Sequence, residues 1–416
     1  MPPQLDVGIY IKSLESSAIA ACPSHEGVNM AIDFTSIAAE NNNFRSTQRN
    51  ASYPDDEVAI NNVRVFDGHQ LLPATTVVIK GRTIKSIGLS GDTNTHVDGN
   101  GGVLLPGFID AHAHPNNITD LQDLSRYGVT TTMLMACFQP QLCQSLKNHT
   151  GLVDVIAGSL PAAAPGSAHG NITVFVDGNG DRLISNASMA PQWVDDAVSW
   201  GPDFVKLIAE SPGLDQQTLD ALTKSSHEHG KPVACHASAF DAYNQAATAG
   251  VDNIQHAPLD KPISAELAKR IASAGQVATP TLTILRAISD SSPATRNYTA
   301  AEETVRRLKE AGVPIIAGTD ANLVQGLIAT VPFGISLHEE LRLLVDAGLP
   351  PVEALRAATS VAARHWGLND RGVIAPGKRA DLVLLSSNPL EDISATKTIQ
   401  RVWLAGVEFA GAIGTF

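Results

Sequence analysis

The stretch Pro106 to His114, PGFIDAHAH, ends an apolar run with two histidines two positions apart, and the alternation of a strand puts both imidazoles on one face. Two imidazoles so placed can chelate one metal ion. Further residues of ligating or proton-carrying type end other apolar runs: Lys206 in FVKLI, His236 in VACH, His256 in NIQH and Asp320 in IIAGTD. Taken singly, each has an ordinary reading. A strand-end histidine is often a hydrogen-bonded core residue, an aspartate after a strand is often a helix N-cap, and a buried lysine usually pairs with a carboxylate. Together they point to one metal-dependent site, provided the chain brings the ends of those runs to one place.

A parallel barrel does that. Between β-rich ends, apolar β-branched runs alternate with helical patterns, the signature of repeated βα units. Strands are expected near Val103–His112, Val129–Met135, Leu152–Ala157, Phe204–Ala209, Pro232–His236, Asn253–His256, Gln276–Thr279 and Ile315–Thr319. Helices are expected at Asp215–His229, Ala239–Ala249, Ser264–Ala274, Ala300–Ala311 and Leu337–Ala347, each ending near a glycine. Eight strands with intervening helices predict an α/β fold, a (β/α)8 TIM barrel over residues 106–370, and the carboxyl ends of its strands converge on one mouth. Short β-rich pieces in 57–105 and 371–416 predict a small composite β-sandwich domain built from both chain ends. Residues 1–56, with Asn41-Asn42-Asn43 and a Ser/Asn/Asp-rich run from Ser46 to Asp56, read as an N-terminal extension or flexible arm.

Composition narrows the partners. The 416 residues carry 29 Lys+Arg against 42 Asp+Glu, a net charge of −13 that repels a phosphate backbone, so nucleic acid is not expected. No apolar run approaches the roughly 18 residues of a membrane helix, and a membrane partner is not expected either. Cys22, Cys137, Cys143 and Cys235 show no CxxC spacing and read as thiols of a reducing compartment. The first residues, MPPQLDVGIYIKSLE, lack the pattern of a secretory signal, so a cytoplasmic protein is expected. Six N-x-S/T sequons, at Asn50, Asn117, Asn148, Asn171, Asn186 and Asn297, leave secretion open. A homo-oligomer is left open too.

The motifs PGFIDAHAH, FVKLIA, ACHA, IQHA and AGTDA, with the tail GVIAPGKRADLVLL, resemble the amidohydrolase superfamily over about residues 57–410. The resemblance is to the branch of imidazolonepropionase-like proteins, Xaa-Pro and Xaa-Arg dipeptidases and ochratoxinase-type amidases. It implies two divalent ions, with His112, His114 and Asp320 holding the more buried one and His236 and His256 the more exposed one. It also implies that Lys206 is carboxylated by CO2 and bridges them. The chemistry is coherent, because a carbamate turns a cationic side chain into an anionic pair of oxygens. Zinc is the first choice, although N/O ligands also accept Mn, Co, Ni or Fe. A hydroxide held between the ions attacks the substrate carbonyl, and Asp320 carries its proton to the leaving group.

His169, in the Gly-rich loop APGSAHG, is either a solvent-exposed loop residue or, as the resemblance implies, the histidine that in related enzymes contacts the substrate carbonyl or the metal-bound oxygen. His227 and His229, in a polar helix end, and His25, His69 and His96, outside the barrel, are excluded as ligands. Cys235 precedes His236, and alternation turns it from the lumen into the core. Two departures from the dipeptidase pattern argue against a dipeptide α-carboxylate site. Ala209-Glu210-Ser211-Pro212-Gly213 stands where many relatives have a Gly-Gly pair, and Ser238 stands where some have tyrosine. The apolar loop around Leu323 and Val324, with Thr281 and Leu282 after the seventh strand, suits a hydrophobic substrate group, while Arg286 offers a carboxylate partner. The leading expectation is a hydrolase cleaving an amide or peptide-like C–N bond in a small molecule. The alternatives are a lactonase, esterase or phosphotriesterase using the same site, and a non-catalytic scaffold on the same fold.

Overall fold

The computed structural model describes residues 33–48, 56–88, 93–178, 180–292, 294–324, 327–411 and 413. The first strands, β1 (Glu57–Phe66), β2 (Leu71–Lys80), β3 (Thr83–Ile87), β4 (Thr95–Asp98) and β5 (Val103–Pro106), lie at the N-terminal side of the barrel. The barrel strands are β6 (Phe108–Ala113), β7 (Val129–Leu134), β8 (Asp154–Ala162), β9 (Phe204–Ile208), β10 (Val233–His236), β11 (Asn253–Gln255) and β12 (Val277–Thr279). They form one parallel sheet in sequential order. β9 to β12 are buried along nearly their whole length, which is why they read as continuous apolar runs rather than alternating ones.

The eighth position is held by residues 315–321. Ile315 bridges Ala278 and Ala321 bridges Ala113, both parallel. The Ile316 N–H donates to the Ala278 carbonyl at 2.9 Å, the Ala111 N–H to the Ala317 carbonyl at 2.9 Å and the Asp320 N–H to the His112 carbonyl at 2.7 Å. These bonds join β12 to β6 through the eighth segment and close the (β/α)8 barrel. Its pairing is limited to isolated bridges, so the expected strand Ile315–Thr319 is a strand in position more than in length.

The expected strand Val103–His112 is two strands. β5 stays in the N-terminal sheet, and the chain crosses to the barrel at Gly107, whose N–H donates to the Asp381 carbonyl at 2.7 Å. β5 lies parallel to β1 on one side and antiparallel to β13 (Leu382–Leu385) on the other. With β14 (Ile399–Leu404) and β15 (Val407–Glu408), both chain ends build one mixed sheet in the order β15-β14-β13-β5-β1-β2-β3, β4 pairing with β1. Ile60, Val65, Val77, Leu104, Leu382 and Trp403 fill its core.

Helices α1 (Phe34–Gln48), α2 (Ile118–Arg126), α3 (Pro140–Ser145) and α4 (Ala168–Asp177) precede the helices α5 (Ala190–Val198), α6 (Gln216–Glu228), α7 (Phe240–Ala249), α8 (Ala265–Ser273), α9 (Leu282–Ser291), α10 (Tyr298–Glu310) and α11 (Ile335–Asp346). Residues 1–32 and 49–55, including Cys22, His25 and the Asn50 sequon, lie outside the described residues. The aperiodic Asn41-Asn42-Asn43 stretch is helical, contrary to expectation, because α1 is held from outside. Asn41 is buried and donates to the Ser145 hydroxyl at 3.0 Å, and Arg45 donates to the Ser145 carbonyl at 2.6 Å. A second correction concerns the cysteines. The turn of α3 brings Cys143 to a Cα–Cα distance of 6.1 Å from Cys137, and the two form a disulfide, while Cys235 is free and buried. The cysteine argument for a reducing compartment therefore falls. No helix among the described residues is long and apolar enough to cross a membrane.

Sheet and barrel are tied by charge. Asp154 at the start of β8 accepts from Arg371 at 2.7 Å and Arg379 at 2.8 Å, and Arg379 also lies 3.1 Å from the buried Asp381. Removing Arg379 leaves Asp381 buried without its nearest cation. Arg379→Ala is expected to lose about 3 kcal/mol of stability in urea unfolding; a loss below about 1 kcal/mol would mean that Arg371 alone secures the junction.

Candidate metal centre

Period 2 along β6 sends Asp110, His112 and the following His114 toward one face, and the eighth segment places Asp320 against them. The His114 Nε2 lies 3.0 Å and the His112 Nε2 3.4 Å from Asp320 Oδ1, and the ligand atoms of all three lie within 4.8 Å of one another. The remaining imidazoles continue from this group. Ring centroids are 4.8 Å apart for His112 and His256, 4.5 Å for His256 and His236, and 4.2 Å for His236 and His169. Lys206 is buried and feels the charge of Asp320. The structure thus brings together His112, His114, His169, His236, His256, Lys206 and Asp320. The depth is graded, His112 and Lys206 being buried and His114 and Asp320 partly open.

Burial pushes His112, His236 and His256 well below the ordinary imidazole value, and the charges of Lys206, His169 and His112, respectively, add to it. Neutral imidazoles keep a lone pair for a cation. Burial also lowers the Lys206 amine to about 8, against the pull of Asp320. At Asp320 burial works the other way, yet the His114 hydrogen bond and the charges of His114, His256 and Lys206 outweigh it and hold the carboxyl below its usual range. Neutral nitrogens around an ionised carboxylate form a donor set that fits a divalent ion of the zinc type.

The imidazoles are held from behind. The His112 Nδ1 is 2.7 Å from Gln255 Oε1, and the Gln255 amide donates to Asn253 Oδ1 at 2.6 Å, which turns the His112 Nε2 toward Asp320. The His256 Nδ1 is 2.8 Å from the Thr281 hydroxyl. Asp110 accepts from the Thr319 hydroxyl at 2.7 Å, the Thr319 N–H at 3.1 Å and the His112 N–H at 3.2 Å, and burial pushes its carboxyl up to about 7. Glu340 on α11 accepts from the N–H groups of Leu282 and Thr283 at 2.9 and 2.7 Å and so caps α9 just beyond Thr281. Gly318 is dictated by space, since a Cβ there would stand 2.9 Å from the His112 Cβ. His256, Thr281 and Asp320 adopt left-handed φ values of 71°, 50° and 57°. Histidine and aspartate tolerate that region, but the β-branched Thr281 is strained in it, and such strain concentrates at functional sites.

Sequence reasoning missed Gln255, Asn253, Asp110 and Glu340 as supports. Asp110 was within reach, because it shares the alternation of His112 and His114. Gln255 was not: simple alternation opposes it to His256, and the positive φ at His256 is what lets both side chains converge on the site.

The other named residues are scattered in role. The Ser238 hydroxyl lies 3.3 Å from the His236 Nε2. Thr281 and Leu282 are fully buried, whereas Leu323 is 55% exposed and Val324 is half-buried. Arg286 is exposed and lies over the Tyr298 ring at 5.6 Å. His227 and His229 pair on the surface with Asp252 and Asp195 at 2.8 and 2.9 Å, away from this group.

The model of the amidohydrolase family matches residues 206–408. The imidazolonepropionase of Deinococcus deserti is 30% identical over 210 residues, covering 49% of this chain and 48% of that protein, so the match spans about half of that relative. Among solved structures, a Xaa-Pro dipeptidase with bound methionine superposes with a TM-score of 0.73 at 21% identity, covering 85% of this chain and 100% of the other. A. niger ochratoxinase does so with a TM-score of 0.70 at 19% identity, covering 86% and 96%. The family match takes in Lys206, His236, His256 and Asp320, and the solved structures share the barrel fold.

Proposed function

We propose that this chain is a hydrolase dependent on two divalent ions, most simply zinc, that cleaves an amide or peptide-like C–N bond in a small hydrophobic molecule. The observation that carries the reading is the His112, His114 and Asp320 group, with ligand atoms within 4.8 Å, continued by His256, His236 and the buried Lys206. In this reading His112, His114 and Asp320 would hold one ion, His236 and His256 the other, and Lys206, carboxylated, would supply anionic oxygens to them. Its lowered amine supports that role, because only the unprotonated amine reacts with CO2, and a value near 8 leaves an appreciable free fraction at neutral pH.

Bound divalent ions would supply a water acidified into a nucleophile near neutral pH and a positive charge for the carbonyl oxygen. The residues do the rest. Asp320, kept ionised by its neighbours, accepts the proton of the attacking water and delivers it to the leaving nitrogen. His169 stands next to His236 and is offered to the substrate carbonyl. The exposed Leu323, with Leu327 and Ile328 beyond it, gives an apolar substituent something to bury against. Such contact contributes about 2.5 kcal/mol per 100 Å² before ordering costs.

The direct test is metal content and hydrolysis measured on one sample. Protein purified without chelator should hold about two divalent ions per chain and cleave N-acyl-phenylalanine amides with a higher kcat/KM than Xaa-Arg or Xaa-Pro dipeptides. A matched ester or lactone turned over far faster than the amide would transfer the assignment to C–O bonds, and full activity without metal would end it. Asp320→Asn should cut turnover by about 10²–10⁴-fold in a folded protein; a loss below tenfold with metal retained would remove Asp320 as proton carrier. Gln255→Ala should weaken zinc binding by about 10–100-fold in competition with a chromogenic chelator, and unchanged affinity would show that His112 needs no orienting partner.

A further inference from the structure

We propose that Glu210 is a positioning residue for His169, holding the Nδ1 proton so that Nε2 is the nitrogen turned to the substrate; this rests on the hydrolase reading above. Both carboxylate oxygens of Glu210 meet His169, and the Ser167 side chain also bonds the carboxylate. Oε2 lies 2.9 Å from the His169 Nδ1, and Oε1 accepts the His169 backbone N–H at 2.9 Å. That N–H belongs to the first turn of α4, where helix geometry leaves amide groups without a partner inside the helix, so an anion is favoured there. The backbone bond therefore aims the carboxylate independently of the ring, and the ring is then set by the second oxygen.

Two loops are joined by this contact. Glu210 lies two residues past the end of β9, the strand that carries Lys206, while His169 follows β8. The turn beneath Glu210 is closed tightly, since a Cβ at Gly213 would stand 2.3 Å from the Glu210 carbonyl oxygen. The glutamate side chain is 14% exposed and that of His169 29%, so water competes little for either. The imidazole packs at 4.2 Å on His236, and its Nε2 makes no hydrogen bond among the described residues. An acidic partner on Nδ1 and an uncommitted Nε2 at the edge of a metal-type cluster is the arrangement by which a carboxylate fixes a working imidazole. Glutamate at 210, where a small residue would serve a plain turn, is explained by this task.

The experiment combines tautomer and rate. In protein labelled with 15N-histidine and loaded with zinc, His169 should show a protonated, hydrogen-bonded Nδ1, assigned by its loss in His169→Ala. Glu210→Gln should shift or remove that signal. On the best amide substrate, Glu210→Gln should lower kcat by about 10²-fold with KM within threefold, metal content unchanged and melting temperature within 2 °C. Glu210→Asp should recover part of the loss. His169→Ala combined with Glu210→Gln should be no slower than His169→Ala alone, because the two act as one unit. Additive losses, a Glu210→Gln rate within twofold of the parent, or loss of metal from Glu210→Gln would overturn the proposal. A parent that turns over neither amides nor esters would defeat the hydrolase reading instead, and the nitrogen signal would still decide whether Glu210 holds the Nδ1 proton.

Discussion

Asp320 can stand against His112 and His114 because the eighth segment is hydrogen-bonded to β6, and its N–H is spent on the His112 carbonyl. That bond fixes His112 and Asp320 to one backbone frame. Without it the imidazoles of β6 would face a loop, and the buried Lys206 and His256 would lose the carboxylate that faces them. Desolvation already drives His112, His236 and His256 to their neutral forms. A single ionised carboxylate in such surroundings is worth far more than the same group in water, since the local dielectric screens it weakly. The cost is carried by the backbone, which turns left-handed at His256, Thr281 and Asp320 to aim the side chains.

The supports around these imidazoles form layers that reach well away from the mouth. His112 leans on Gln255 and through it on Asn253, and Asn253 also accepts from Thr279 on the neighbouring strand at 2.9 Å. His256 leans on Thr281, which begins α9, and the start of α9 is held by Glu340 from α11. Packing alone would leave these rings free to flip between two edges. A hydrogen-bonded chain of this kind selects one nitrogen of each ring, which is the property a metal site needs most.

Much of this was legible in the residues. The barrel strands β9 to β12 appeared as apolar runs because both their faces are buried, and the residues gathered at the mouth stood out because they are polar side chains at strand ends where apolar ones are the rule. The chain was harder to read where local pattern and tertiary contact disagree. Val103 to His112 is one apolar run and two strands, since the break at Gly107 is set by which sheet each half joins. Asn41 to Asn43 lacks helical periodicity, yet it is helical because its contacts are supplied by α3 and not by an apolar stripe. The pairing of Cys137 with Cys143 depends on the turn of α3, which spacing alone does not reveal.

The composite sheet also sets an order of events for the growing chain. β5 pairs with β13 along its length, but β13 begins only at Leu382, after the whole barrel has been made. At about 5–20 residues per second, β5 waits on the order of tens of seconds for its partner on the ribosome. Its inner edge, Val103 to Pro106, is apolar and unpaired for that interval, the kind of strand that other chains can add to. Strands β13 to β15 thus act as a latch. Loss of the C-terminal strands by truncation would leave a complete barrel attached to an open, adhesive sheet, and its cost would be felt in solubility sooner than in the chemistry of the mouth.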